Sequence, residues 1–362
     1  MKLSSKIIFT IIALACFAIG FLAGELNFSP KLKQLFKKNK TSEGEIFENN
    51  PAAYLHINSQ ADILNKRDSL VKYVWKNENF PPDKVPSKVE LNIADPQFKG
   101  LENLKQIDKL TIVMEYDVNS IIYLFQPEKG NNKLVIYHHG HVTGFDKGKD
   151  VIGFFLKKGF SVLGCSMPLC GMNKKPVVST DFGKIQLLKH PDFQFLDTKD
   201  FSSVHYFVEP VAIALNYLDK NFKYESYSMI GISGGGWTTV FYAAMDNRIK
   251  NSYSVAGSAP ISLRTGIRGD YEQLLPELYR ITDYLDLYIM DAFGTDRKFV
   301  QVFNKYDPCC FPGEKYKLYE TALQKKMQEL GKGSFEMWFD KTQSKHAISE
   351  SILNRVLESI NR

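Results

Sequence analysis

The sequence predicts an α/β fold, a mostly parallel sheet covered by helices on both faces. Two observations carry this. From about residue 105 onward, short apolar runs alternate with longer stretches of helical periodicity, the pattern of a sheet whose strands are joined by crossover helices. Runs such as LVIY at 134–137 and FVQVF at 299–303 are near-continuous in apolar residues rather than alternating, as strands buried on both faces require. A composition of 44% hydrophobic and 24% charged residues over 362 positions is ordinary globular material with ample core.

Residues 7–23 (IIFTIIALACFAIGFLA) form an uncharged run at the lower length limit for crossing a bilayer. Lys2 and Lys6 precede it, as they would in a signal peptide. Cleavage near Ala18–Ile19–Gly20 is disfavoured because Phe21 and Leu22 continue the run. We therefore expect a single-span N-terminal membrane anchor over residues 1–24, with export after cleavage as the alternative. Lysines 31, 33, 37, 38 and 40 follow the run and would hold that flank inside, whereas the signal-like start points the other way, so the side stays open. Residues 25–104 read as a linker with a helical extension. Its helix is marked by Ile63, Leu64, Leu70, Val71, Val74 and Trp75 and closed off by Pro81–Pro82.

The catalytic domain is expected over 105–362. Strands at 110–114 and 120–125 suggest a hairpin that opens the sheet. A strand at 134–137, a helix at 151–158, a strand at 160–164 and a helix at 204–219 come next. The strand at 226–230 then leads into a helix at 238–245. Strands at 252–256, 299–303 and 335–339, with helices at 316–330 and 348–360, complete the pattern. Residues 258–295 break it and read as a cap-like insertion carrying Arg264, Arg268, Tyr271 and further tyrosines.

Between strand and helix stands Gly231–Ile–Ser233–Gly–Gly235, the G-x-S-x-G spacing of a nucleophile elbow. As mere punctuation it would be a flexible turn, but its flanks place the serine at the carboxyl edge of a sheet. A serine hydroxyl needs a base, and the base an orienting acid. Elbow enzymes supply them in the order serine, acid, histidine. His346 is the sole histidine after Ser233 and follows the last strand. Asp307 directly follows the strand at 299–303, whereas Asp291 and Asp296 precede it and Asp340 crowds the base. The oxyanion of acyl transfer needs preorganised N–H donors. Gly234 supplies one, and Gly140 or His141 in the His138–His139–Gly140–His141 loop the other. His139, Trp237 and Tyr271 are expected against the substrate.

Other chemistries find less support. The net charge of +6 is concentrated near the N-terminus, so no nucleic-acid partner is expected. No phosphate loop or dinucleotide fingerprint calls for a cofactor. A metal at the histidine cluster finds only Asp146 close by, and none is expected. Among the five cysteines, free thiols are expected ahead of a bridge between the 165/170 and 309/310 pairs.

Elbow, His-Gly loop, post-strand acid and late histidine, in this order, resemble the α/β-hydrolase superfamily over roughly residues 105–362. Within it, the chain looks most like dienelactone-hydrolase-like and acyl-esterase-like members, though a third glycine and Trp237 follow the elbow. The resemblance implies a serine hydrolase that cleaves small-molecule or glycan-linked carboxylic esters. A prolyl-oligopeptidase-type peptidase and a catalytically silent binding module are the alternatives. The roughly one hundred residues before the catalytic domain leave no room for the peptidase's propeller.

Overall fold

A computed structural model of the chain describes residues 50–76, 80–141, 144–264 and 269–362. The expected N-terminal span and Arg268 lie outside them. Among the described residues no helix is long and apolar enough to cross a membrane.

The strands are β1 (Lys88–Glu90), β2 (Leu104–Val113), β3 (Asn119–Pro127), β4 (Lys133–His138), β5 (Ser161–Cys165), β6 (Val177–Thr180), β7 (Gly183–Gln186), β8 (Ser226–Ile232), β9 (Ile249–Val255), β10 (Lys298–Asn304) and β11 (Ser334–Asp340). Nine of them build one sheet in the order β1-β2-β3-β5-β4-β8-β9-β10-β11, while β6 and β7 form a separate hairpin. Pairing from β5 to β11 is parallel throughout, and β1, β2 and β3 add an antiparallel edge. The central strands β8, β9 and β10 are buried on both faces, so β8 and β10 show no polar–apolar alternation, while β9 also buries serines at 252 and 254.

Helices cover the two faces unequally. On one side lie α1 (Gln60–Trp75), α3 (Glu209–Asn221), α4 (Gly234–Met245), α6 (Tyr284–Ala292) and α7 (Glu320–Leu330), which share the larger core. The short α5 (Pro276–Ile281) packs against α1. On the other side α2 (Lys149–Lys157) and α8 (Glu350–Ile360) cover a smaller core built on β4, β8, β9 and β10. The apolar stripe of α8 at Ile352, Leu353, Val356 and Ile360 follows helical spacing.

Two expectations are refined. The helical extension expected within residues 25–104 is integral rather than appended, since the described residues from 50 to 104 belong to one compact unit with those that follow. Helix α1 opens with a capping box at Ser59 and Asp62 and buries Ile63, Leu70, Val74 and Trp75 in the main core. Trp75 donates its indole N–H to the buried Glu209 carboxylate at 2.7 Å. The stretch at 258–295 also divides. Every residue of α6 is buried, so this helix is the crossover between β9 and β10 rather than part of a cap. Of the described residues before α5, Asp270 and Glu272 meet His141, which follows β4 at the carboxyl edge.

Truncating Trp75 to alanine should cost about 3–5 kcal/mol, from a large cavity and a buried Glu209 oxygen that loses its indole donor while the other keeps Lys84. Denaturant unfolding should show this as a lower midpoint of a single transition. An unchanged midpoint would make α1 a dispensable appendage.

Candidate active site

At the end of β8 the chain turns sharply into α4, and Ser233 occupies the turn with φ 57° and ψ −128°. This is backbone that a residue with a Cβ seldom adopts. It is held from both sides. The Ser233 N–H donates to the Val255 carbonyl of β9 at 2.9 Å, and its own carbonyl accepts from Trp237 N–H at 3.0 Å. Close approach sets the neighbours. A Cβ on Gly235 would lie 2.1 Å from the His138 carbonyl oxygen, and one on Gly140 would lie 2.7 Å from the Ser233 Cβ. Glycine at these positions lets the loop after β4 lie directly against the serine.

Asp307 and His346 meet across adjacent strand ends. β10 and β11 pair in parallel with Asn304 opposite Asp340, so the loops that follow emerge side by side. His346 Nδ1 donates to Asp307 Oδ2 at 2.8 Å. The other Asp307 oxygen accepts the Cys309 and Cys310 amides at 2.8 and 2.9 Å. Asn304 braces the pair, donating to Asp307 Oδ2 at 3.4 Å and to the Ala347 carbonyl at 3.1 Å. With Nδ1 carrying the proton, His346 Nε2 holds a lone pair. That nitrogen is buried and has no hydrogen-bond partner among the described residues. The rival acid Asp291 sits within α6, where burial pushes its carboxyl up to about 8 and Ser252 donates to it. Asp296 lies in the turn before β10.

The histidine loop is more specialised than its sequence suggests. The Gly140 N–H, one of two donors anticipated for the oxyanion, donates instead to His139 Nδ1 at 2.8 Å, which removes it from that role. Burial pushes His138 and His139 down to about 4, so both are neutral at physiological pH. His139 lies close enough to His346 for charge on one to disfavour charge on the other. His141 leans over the elbow, and a Cβ on Gly234 would fall 2.5 Å from its Cε1.

Two of the anticipated substrate contacts take other places. Trp237 is fully buried, stacked on Phe241, and donates to the Tyr279 hydroxyl at 3.1 Å. It is a core residue, because the first turn of α4 points it away from the sheet edge into the α6 side. Tyr271 donates its hydroxyl to Asp197, which ties the irregular stretch to the loop ahead of α3.

Sequence reasoning missed what His141 meets. Its Nε2 lies 3.0 Å from His190 Nδ1 and 3.2 Å from Glu272 Oε1, and His190 Nδ1 lies 3.0 Å from Glu272 Oε2. Burial opposes charge on both partners, yet their mutual proximity wins. Cys170 and Glu272 raise His190 to about 10, and the two rings hold Glu272 down to about 2. His190 and Glu272 stand in irregular segments with no local pattern, so no sequence signal pairs them. Cys309 and Cys310 are bonded to each other, whereas Cys165 and Cys170 are free, which corrects the expectation of free thiols throughout.

No protein-family model and no curated protein matches the sequence. Solved structures do match by shape. An acetyl xylan esterase from Thermoanaerobacterium sp. superposes with a TM-score of 0.54 at 13% identity, over 85% of this chain and 96% of that one. An acetyl xylan esterase from Paenibacillus sp. R4 gives 0.55 at 13% identity, over 86% and 97%. A glucuronoyl esterase from Solibacter usitatus gives 0.52 at 13%, over 82% and 91%. The mostly parallel sheet and the helices on its two faces agree with that likeness: the chain has the α/β-hydrolase fold.

Proposed function

We propose that the protein is a serine hydrolase of carboxylic esters that works through an acyl-enzyme on Ser233. The observation that carries the reading is the His346–Asp307 hydrogen bond, which leaves the Nε2 lone pair available at the edge where the elbow presents its serine. Nε2 accepts the hydroxyl proton as Ser233 Oγ attacks the ester carbonyl, and Asp307 steadies the imidazolium. The Gly234 amide stands at the N-terminus of α4, where no carbonyl lies a turn behind it. It and the His141 amide are the donors for the oxyanion. His346 then protonates the departing alcohol, and water repeats the sequence to release the acid.

For substrate, we propose short acyl esters on a polar or carbohydrate-like scaffold. The support is the naming of the structural neighbours as acetyl xylan and glucuronoyl esterases. The tyrosines of residues 258–295 lend less, since Tyr284 and Tyr288 are core. The apolar run at residues 7–23 adds a location: a membrane anchor, or an export signal if it is removed.

Ser233→Ala should abolish labelling by a fluorophosphonate probe and lower ester turnover by about four orders of magnitude, with the unfolding midpoint preserved. Normal labelling in that variant would end the elbow reading. His346→Ala should be nearly as damaging, and Asp307→Asn severe with more residual activity. Full activity in Asp307→Asn would move the acid elsewhere. Across nitrophenyl esters of increasing acyl length, kcat/KM should peak between acetyl and butyryl, and a steady rise into long chains would point to lipids instead. The full chain should sediment with membranes and resist carbonate extraction, whereas a mature N-terminus between residues 20 and 25 would show cleavage.

A further inference from the structure

Beside the elbow, three strong ligand groups converge from segments far apart in sequence. His141 comes from the loop after β4, His190 opens the short helix His190–Phe195 that follows the β6–β7 hairpin, and Glu272 sits in the turn Tyr271–Gln273. The geometry points to a binding site for one divalent transition-metal ion of the zinc class, held by His141 Nε2, His190 Nδ1 and a Glu272 carboxylate oxygen. It stands on this cluster alone and not on the ester reading.

The spacing comes first. Metal–ligand bonds of about 2.0–2.1 Å in a tetrahedron put neighbouring ligand atoms about 3.3 Å apart. The two ring nitrogens stand 3.0 Å apart, with His141 Nε2 3.2 Å from Glu272 Oε1 and His190 Nδ1 3.0 Å from Oε2, so each ring faces its own carboxylate oxygen. One ligand atom from each residue falls within 4.8 Å of the others, and a small turn of the carboxylate brings the trio to one face of such a tetrahedron with a fourth position for water. Next is the outer shell. Ligating histidines characteristically give their other ring nitrogen to a carbonyl or carboxylate, which fixes the tautomer and aims the lone pair inward. His190 Nε2 donates to the Pro168 carbonyl at 2.8 Å, and His141 Nδ1 lies 3.5 Å from the Asp270 carboxylate. Finally, Glu272 is fully buried, and its Oε1 makes no well-aligned hydrogen bond with any described residue. A carboxylate left that way, with one imidazole nitrogen facing each of its oxygens, is a ligand set for zinc-like ions rather than for magnesium or calcium.

The ion would be a brace. It would tie three irregular segments together and fix the His141 ring above Gly234. The competing occupant of the same space is a single proton, with His190 charged and ion-paired to Glu272.

Metal titration separates the two. Purified full-length chain, stripped with a chelator and dialysed, is titrated with Zn²⁺ and with Co²⁺ at about pH 8, where imidazoles are free to ligate. The expected result is one ion per chain, a raised unfolding midpoint with Zn²⁺, and visible cobalt bands of a tetrahedral nitrogen–oxygen site. His141 is partly exposed, so His141→Ala should fold and yet lose stoichiometric binding and the cobalt bands. Asp270→Asn should weaken Zn²⁺ by about tenfold. Failure of the wild-type chain to bind Zn²⁺ at one per chain overturns the proposal in favour of the shared proton. Undiminished binding by His141→Ala overturns it too, since the ion must then lie elsewhere.

Discussion

A serine can stand between β8 and α4 only if neighbouring backbone comes into direct contact with the turn, and that contact tolerates no side chain. The conformation of Ser233 costs on the order of 1–3 kcal/mol. What offsets it is the surrounding packing. All of α4 is buried, the Ser233 amide is fixed to β9, and the loop after β4 presses its glycine against the serine Cβ. The strain and the close approach are therefore one constraint. Relaxing either would let the helix shift and carry the Ser233 hydroxyl with it.

From that point the order of strands does the rest. The sheet runs β8-β9-β10-β11, so the loops after β8, β10 and β11 open on one edge within a few strand spacings of about 4.8 Å. The acid is held by two backbone amides as well as by His346, and its chelation is local to the turn. The base is less rigid in origin, since it lies in a loop before α8 and relies on Asn304 to pin Ala347. Here the carboxylate positions the imidazole, and β10 positions the carboxylate.

The alternation of apolar runs was enough to read the sheet from β3 to β11, because strands buried on both faces leave a period-free signature. The placement of Ser233, Asp307 and His346 after strands, and the meeting of the last two, were legible because residue type and chain order carry meaning at strand ends. Trp237 was misplaced for a simple reason: adjacency to the nucleophile in sequence places a residue one turn into the helix, and that turn faces the core. Gly140 was half legible. Its lack of a side chain signalled contact with the elbow, but the orientation of its amide depends on the His139 ring. Helix α6 was hidden by the tyrosines and acids among its apolar residues, which find buried partners such as Ser258, Gln301 and Ser252. Glu272 and His190 were invisible, since nothing in either segment announces the other.

The division of residues 258–295 bears on how such a molecule can diversify. Helix α6 packs beside α4 and against β10 and β11, and a change there disturbs the same packing that supports the serine. The described part of the irregular stretch before α5 carries no strand or crossover duty, and it is held by buried Leu263 and Arg264 and by polar contacts of Glu272 and Tyr271. Insertions, deletions and drift should accumulate in that first half while the second stays nearly frozen. A descendant with a new preference would keep its crossover helix and rewrite what precedes it.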